Sequence, residues 1–155
     1  MDTNYYNVGI NWENTRKGIL CSPELNQKNS VCIEVATPPE FPNRTEGIWS
    51  FEHLFAAAIS GGLMTTFLAI AENSTLKFTS FSCQAKGKLE MVKGKLVRRE
   101  VFLKPTVVIH NEMHRGKAVR IIKKAENACL TSHSVKSKIT MEINIQVTSM
   151  LIETK

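Results

Sequence analysis

Trp49-Ser50-Phe51-Glu52-His53-Leu54-Phe55-Ala56-Ala57-Ala58-Ile59-Ser60-Gly61-Gly62-Leu63-Met64-Thr65-Thr66-Phe67 leads into an uncharged stretch that covers residues 54–71. Ser50 is a preferred helix N-cap, and Glu52 falls in the first turn, where the helix dipole favours a negative charge. Trp49 is placed to staple onto Leu54. The stretch predicts a helix from Ser50 to about Glu72, with Asn73 as its stop. Its length approaches that of a membrane span. Ser60, Gly61, Gly62, Thr65 and Thr66 dilute its apolar character, so the preferred reading is a buried central helix in a soluble chain, with no membrane partner. Two mid-helix glycines cost about 1 kcal/mol each relative to alanine and call for a reason. Ala57 with Gly61 and Ala58 with Gly62 are small residues at i,i+4, a spacing that lets another helix approach closely.

Upstream, Tyr6, Val8, Ile10 and Trp12 alternate with polar residues and predict a half-buried strand. Residues 14–18 read as a turn, Ile19-Leu20-Cys21 as a second strand, and Val31, Ile33 and Val35 as a third that stops at Pro38-Pro39. Residues 38–43 form a proline-punctuated loop. Downstream, Phe81, Cys83, Ala85, Leu89 and Met91 share one face of a hairpin strand, and Lys93-Gly94 supplies its turn. Val97, Arg99, Val101 and Leu103 begin the return strand, with a bend expected at Pro105. Ala118, Ile121, Ile122, Ala125 and Ala128 predict a second helix over residues 116–129 that carries Cys129 inward. Ile139, Met141, Ile143, Ile145 and Val147 read as one final strand. The class is α+β: N-terminal β-meander, long central helix, β-hairpin, second helix, C-terminal strand.

At 155 residues, 43% hydrophobic and 22% charged, the chain fits one globular domain over residues 1–155. Four cysteines do not make a disulfide scaffold, so four free thiols and a cytoplasmic location are expected. The first residues lack the basic flank and apolar core of a secretory signal, so the sequons at Asn43 and Asn73 carry no meaning. No cofactor is implied, and no metal: His110, Glu112 and His114 lie at a strand end without helical register. Lys86, Lys88, Lys93, Lys95, Arg98 and Arg99 crowd the hairpin and contribute to a net charge of +6. Without interleaved aromatics they read as a solvated edge that discourages sheet pairing, in preference to a nucleic-acid footprint.

The stretch quoted first, together with Lys124-Ala125-Glu126-Asn127-Ala128-Cys129-Leu130-Thr131-Ser132-His133-Ser134, resembles the OsmC/Ohr family of osmotically inducible and organic hydroperoxide resistance proteins. That resemblance implies an intertwined homodimer with two sites at the subunit interface and two-cysteine reduction of organic hydroperoxides. There, one thiolate attacks the O–O bond and becomes a sulfenic acid, and a second thiol condenses with it to a disulfide. By the same resemblance Glu52 matches the family glutamate, Cys129 the resolving cysteine, and Arg16 the arginine that lowers the first thiol's pKa. Ten residues beyond Glu52, where the family has its attacking cysteine, this chain has Gly62. Those ten residues of helix span about 15 Å, so a site that uses both positions must draw on two chains.

Each of these residues also has a plainer explanation. Cys129 fits a buried structural thiol, Glu52 a dipole-compensating charge, and Arg16 a charged turn. His53 and His133 sit beside motif residues, where they either line a pocket or face solvent. One expectation is an OsmC/Ohr-like dimer without the attacking thiol, which keeps an interfacial apolar pocket at Gly62 and His53 for a small apolar molecule or organic hydroperoxide. The alternative is an atypical peroxidase in which Cys129 reacts directly and an external thiol resolves it.

Overall fold

A computed structural model describes residues 2–25, 31–38 and 46–148. The chain divides into two compact units, one up to Leu54 and one from Phe55 onward.

The first unit holds β1 (Gly9–Asn14), β2 (Lys17–Cys21), β3 (Ile33–Ala36) and β4 (Trp49–Ser50), in the sheet order β1-β2-β3-β4. The first three strands are antiparallel neighbours, and the short β4 lies parallel to β3. Gly18 permits the closest approach here: a Cβ at that position would meet the Asn11 carbonyl oxygen at 2.8 Å. The expected half-buried N-terminal strand needs correction. It begins only at Gly9, and every residue of β1 is exposed, as are Tyr6 and Val8 before it. β1 is an edge strand of a small sheet, so its alternation marks two faces that this unit does not cover.

The expectation of four free thiols is also overturned. Cys21 and Cys32 form a disulfide, which leaves Cys83 and Cys129 free. Leu20 pairs with Ile33 across β2 and β3, so the next pair outward is Cys21 and Cys32, with Cα atoms 4.5 Å apart. Residues 39–43 of the proline loop, with the sequon at Asn43, lie outside the described residues.

α1 (Phe51–Asn73) follows at once, as its sequence predicts. The second unit contains most of α1, then β5 (Ser80–Val92), β6 (Lys95–Ile109), α2 (Arg115–Ala128), α3 (Leu130–His133), β7 (Lys138–Met141) and β8 (Asn144–Val147). β5 and β6 form a long antiparallel hairpin. Its two-residue turn has Lys93 at φ 51° and Gly94 at φ 76°, the paired positive values that suit a tight hairpin. β7 and β8 run parallel to β6, reached through α2 as parallel pairing requires.

The core of this unit is built on one row of α1. Ile59, Leu63, Phe67 and Ala71 recur every four residues and are all buried, against Val101, Leu103, Val107 and Ile109 of β6 and Ala118, Ile122 and Ala125 of α2. Phe67 stacks on Phe81 at 4.8 Å and meets Phe78 edge-on at 5.2 Å. α1 is long and apolar enough to cross a membrane by composition, but this buried row makes it a core helix. Met64 and Leu68, on another face, remain exposed.

Pro105 does not bend the chain as expected. β6 continues through it with no register shift against β5, and Pro105 lies opposite Cys83, fully buried. On its other edge, pairing stops after Leu103 and resumes at Thr106, so a residue without an N–H fits the gap. The same gap splits the single C-terminal strand expected from alternation into β7 and β8, which keep one common register with β6. The second helix ends one residue earlier than expected, at Ala128, and Ala128 itself is exposed.

Phe67→Ala is expected to cost about 3–5 kcal/mol of folding stability, the range for truncating a fully buried phenylalanine. Urea denaturation monitored by circular dichroism reads the change in midpoint.

Candidate functional site

Where α2 gives way to α3, Cys129 adopts an extended backbone (φ −66°, ψ 117°) that ends one helix and caps the next. Its side chain is fully buried. The sulfur lies 3.2 Å from the Thr131 hydroxyl. Facing it is Gly62 of α1. A Cβ at that position would stand 3.2 Å from Cys129 Sγ and would collide with Thr131 Oγ1. The glycine is therefore what lets α1 close on the α2–α3 junction. Thr66 and Thr65 both donate hydroxyl hydrogen bonds to the Gly62 carbonyl, at 2.8 and 3.1 Å. Gly61 differs: a Cβ there would meet nothing within 4 Å.

Burial pushes the Cys129 thiol up, but hydrogen bonding around the sulfur outweighs it, and the net shift is downward from the ordinary value. The contributing groups are the hydroxyls and backbone amides of Ser132 and Thr131. Of the two hydroxyls, that of Thr131 stands at hydrogen-bond distance from the sulfur, and that of Ser132 is buried without a hydrogen bond among the described residues. Cys83, half-buried on its strand, shows the opposite behaviour: desolvation raises its pKa. Near the end of α2, burial also raises the Glu126 carboxyl against the opposing pull of His133, and Glu126 Oε2 is buried without a hydrogen-bond partner among the described residues.

An apolar pocket of about 230 Å3 opens beside this cluster, lined by Phe55, Ala58, Ile59, Leu130, Thr131 and Val135 among others. Thr131 belongs both to the pocket wall and to the environment of the sulfur. The arrangement offers an apolar ligand a place next to a buried thiol of lowered pKa.

Of the residues singled out from sequence, Gly62 and Cys129 come together in the second unit. Arg16, Glu52 and His53 belong to the first. Arg16 is exposed in the β1–β2 turn, where its carbonyl accepts the Thr37 amide at 3.3 Å. Glu52 is partly buried in the first turn of α1. His53 has a structural explanation: Ser50 Oγ accepts the His53 amide at 3.2 Å, while the Ser50 amide donates to His53 Nδ1 at 3.1 Å. This is a reciprocal cap with histidine in the place usually held by glutamate or glutamine, and Trp49 packs edge-on against the His53 ring at 6.2 Å. Among the described residues, no three metal-ligating side chains come together. His110 instead bonds the Thr79 hydroxyl at 2.7 Å, and Glu112 pairs with Arg115 at 2.7 Å. Thr131 was missed from sequence. The only signal was a hydroxyl two residues beyond a cysteine at a helix end.

Residues 46–144 match the sequence profile of the family described as OsmC-like protein. No curated protein sequence matches the chain. An OsmC-like protein of unknown function from Vibrio cholerae superposes with a TM-score of 0.77 at 22% identity, covering 91% of this chain and 99% of its own. An organic hydroperoxide resistance protein from Elizabethkingia anophelis, with thiocyanate bound, gives 0.71 at 19% identity over 96% and 100%. A candidate organic hydroperoxide resistance protein from Vibrio cholerae, with captopril in one of its active sites, gives 0.67 at 14% identity over 92% and 93%. At these identities the likeness establishes the fold.

Thr131→Val is expected to raise the Cys129 pKa by removing the hydroxyl beside the sulfur. In a Cys83→Ser background, thiolate absorbance followed against pH should shift to higher pH, with the fold unchanged by circular dichroism.

Proposed function

The chain belongs to the OsmC-like protein family, and on that premise we propose that it binds a small apolar molecule beside Cys129 and does not reduce peroxides by the two-thiol route. The observation that carries this reading is the pairing of a residue without a side chain, Gly62, with a buried thiol, Cys129. In a disulfide, bond lengths put each β-carbon about 3 Å from the far sulfur. The 3.2 Å from a Cβ at position 62 to Cys129 Sγ supports reading Gly62 as the place of the missing nucleophile. Thr131 Oγ1 now fills that space.

In this reading the working form is a homodimer of single-domain chains, and Arg16 and Glu52 reach the Gly62 region from the partner subunit. Exposed apolar side chains on α1, namely Phe51, Met64 and Leu68, and Tyr6 and Trp12 near β1, support an interface between copies. A cytoplasmic location loses part of its support with the Cys21–Cys32 disulfide, because such bonds persist mainly in oxidising compartments.

The lowered pKa of Cys129 favours a second reading, an enzyme with a single working thiol. Its thiolate would attack the O–O bond, take one oxygen as a sulfenic acid and release the alcohol after protonation. One external thiol would then condense with the sulfenic acid to a mixed disulfide and water. A second would release Cys129 and leave as the external disulfide.

Reduced protein mixed with cumene hydroperoxide distinguishes the two. The non-peroxidase reading expects no catalytic peroxide loss with added dithiol and no mass gain at Cys129. Rapid oxidation of that residue, followed by turnover, overturns it. Gly62→Cys alone must displace the Thr131 hydroxyl. Gly62→Cys combined with Thr131→Ala is expected to gain a peroxide-driven disulfide to Cys129, seen as a loss of two hydrogens by mass spectrometry. Sedimentation should give the mass of two chains.

A further inference from the structure

A second cavity, an open groove of about 700 Å3, lies between the first residues of β6 and the start of β7. Arg98, Arg99, Lys136 and Lys138 line it against one carboxylate, Glu100. Glu100 is buried, and its charge is already engaged by Lys88 at 3.6 Å and Arg98 at 4.0 Å. Lys136 and Lys138 are exposed, and neither makes an ion pair among the described residues. Arg98, Lys136 and Lys138 against Glu100 leave an excess of two positive charges in a concave space. Arg99 stacks over the Phe55 ring, with Cζ 5.0 Å from its centroid.

Phe55 and Val135 line this groove and also the apolar pocket beside Cys129. The two cavities thus share a wall, one strongly basic and the other almost wholly apolar. A single carboxylate would leave half of that charge unanswered. A phosphate monoester brings about −1.5 to −2 charges and three acceptor oxygens, suited to an arginine fork and two lysine ammoniums.

The geometry points to a single-chain amphiphile with a phosphate-monoester head: the head sits in the groove of Arg98, Lys136 and Lys138, and the alkyl chain passes over Phe55 and Val135 into the pocket beside Thr131. This rests on the proposed apolar pocket and names its ligand class. The phosphate supplies affinity and orientation, and the chain supplies burial of apolar surface. No covalent step is involved.

Calorimetric titration of the full chain with decyl phosphate below its micelle concentration, decanol and inorganic phosphate tests this. Decyl phosphate is expected to bind at least tenfold tighter than either of the others. Combined Arg98→Gln, Lys136→Gln and Lys138→Gln, at exposed positions that leave the core intact, should weaken decyl phosphate more than tenfold and decanol less than twofold. Ala58→Trp, which fills the pocket, should weaken both chain-bearing probes. Equal affinity for decanol and decyl phosphate, or indifference to the triple substitution, overturns the head-group site and leaves the apolar pocket standing. Inorganic phosphate as tight as decyl phosphate overturns the joined site. Binding to phosphatidic acid vesicles without uptake of monomeric decyl phosphate overturns it in favour of a membrane surface. Failure of both decanol and decyl phosphate to bind overturns the pocket as well.

Discussion

The approach of α1 to the junction of α2 and α3 depends on the absence of a side chain at position 62. A glycine in mid-helix is a local cost in conformational entropy, and the chain carries two. Only Gly62 has a steric reason within the second unit, because its α-carbon faces the Thr131 hydroxyl and the Cys129 sulfur. The close contact brings a buried thiol, a hydroxyl and an apolar cavity together. It also sits one turn from Ile59 and beside Leu63, in the row that forms the core, so site and core share one helix.

Much of this was legible in the sequence because it rests on periodicity. The Ile59-Leu63-Phe67-Ala71 row, the inward face of α2 and the alternation of β5 and β6 each repeat a pattern that a single element imposes. The cap at Ser50 was legible for the same local reason, and His53 completes it. What escaped depends on pairs distant in sequence. The split between β7 and β8 follows from Pro105, more than thirty residues earlier, through the pairing gap on one edge of β6. The Cys21–Cys32 bond follows from the register of β2 on β3, which composition does not encode.

The candidate site divides along the same line. Position 62 and Cys129 were visible as motif members, and their adjacency follows from the packing of α1 on α2. Thr131 was invisible because its role depends on a rotamer turned toward a sulfur, in a helix only four residues long. The exposed N-terminal alternation misled for a different reason. Period-two patterning reports that a strand has an apolar face, and it does not report whether the same unit supplies the surface that covers it.

The bond between Cys21 and Cys32, eleven positions apart, closes the intervening chain into a ring at the paired ends of β2 and β3. A peptide bond cut inside that ring would leave both ends tied through sulfur, so the strands on either side would stay joined after nicking. Only a reductant together with a protease would separate them, and this segment would then record two successive exposures of the molecule to its surroundings.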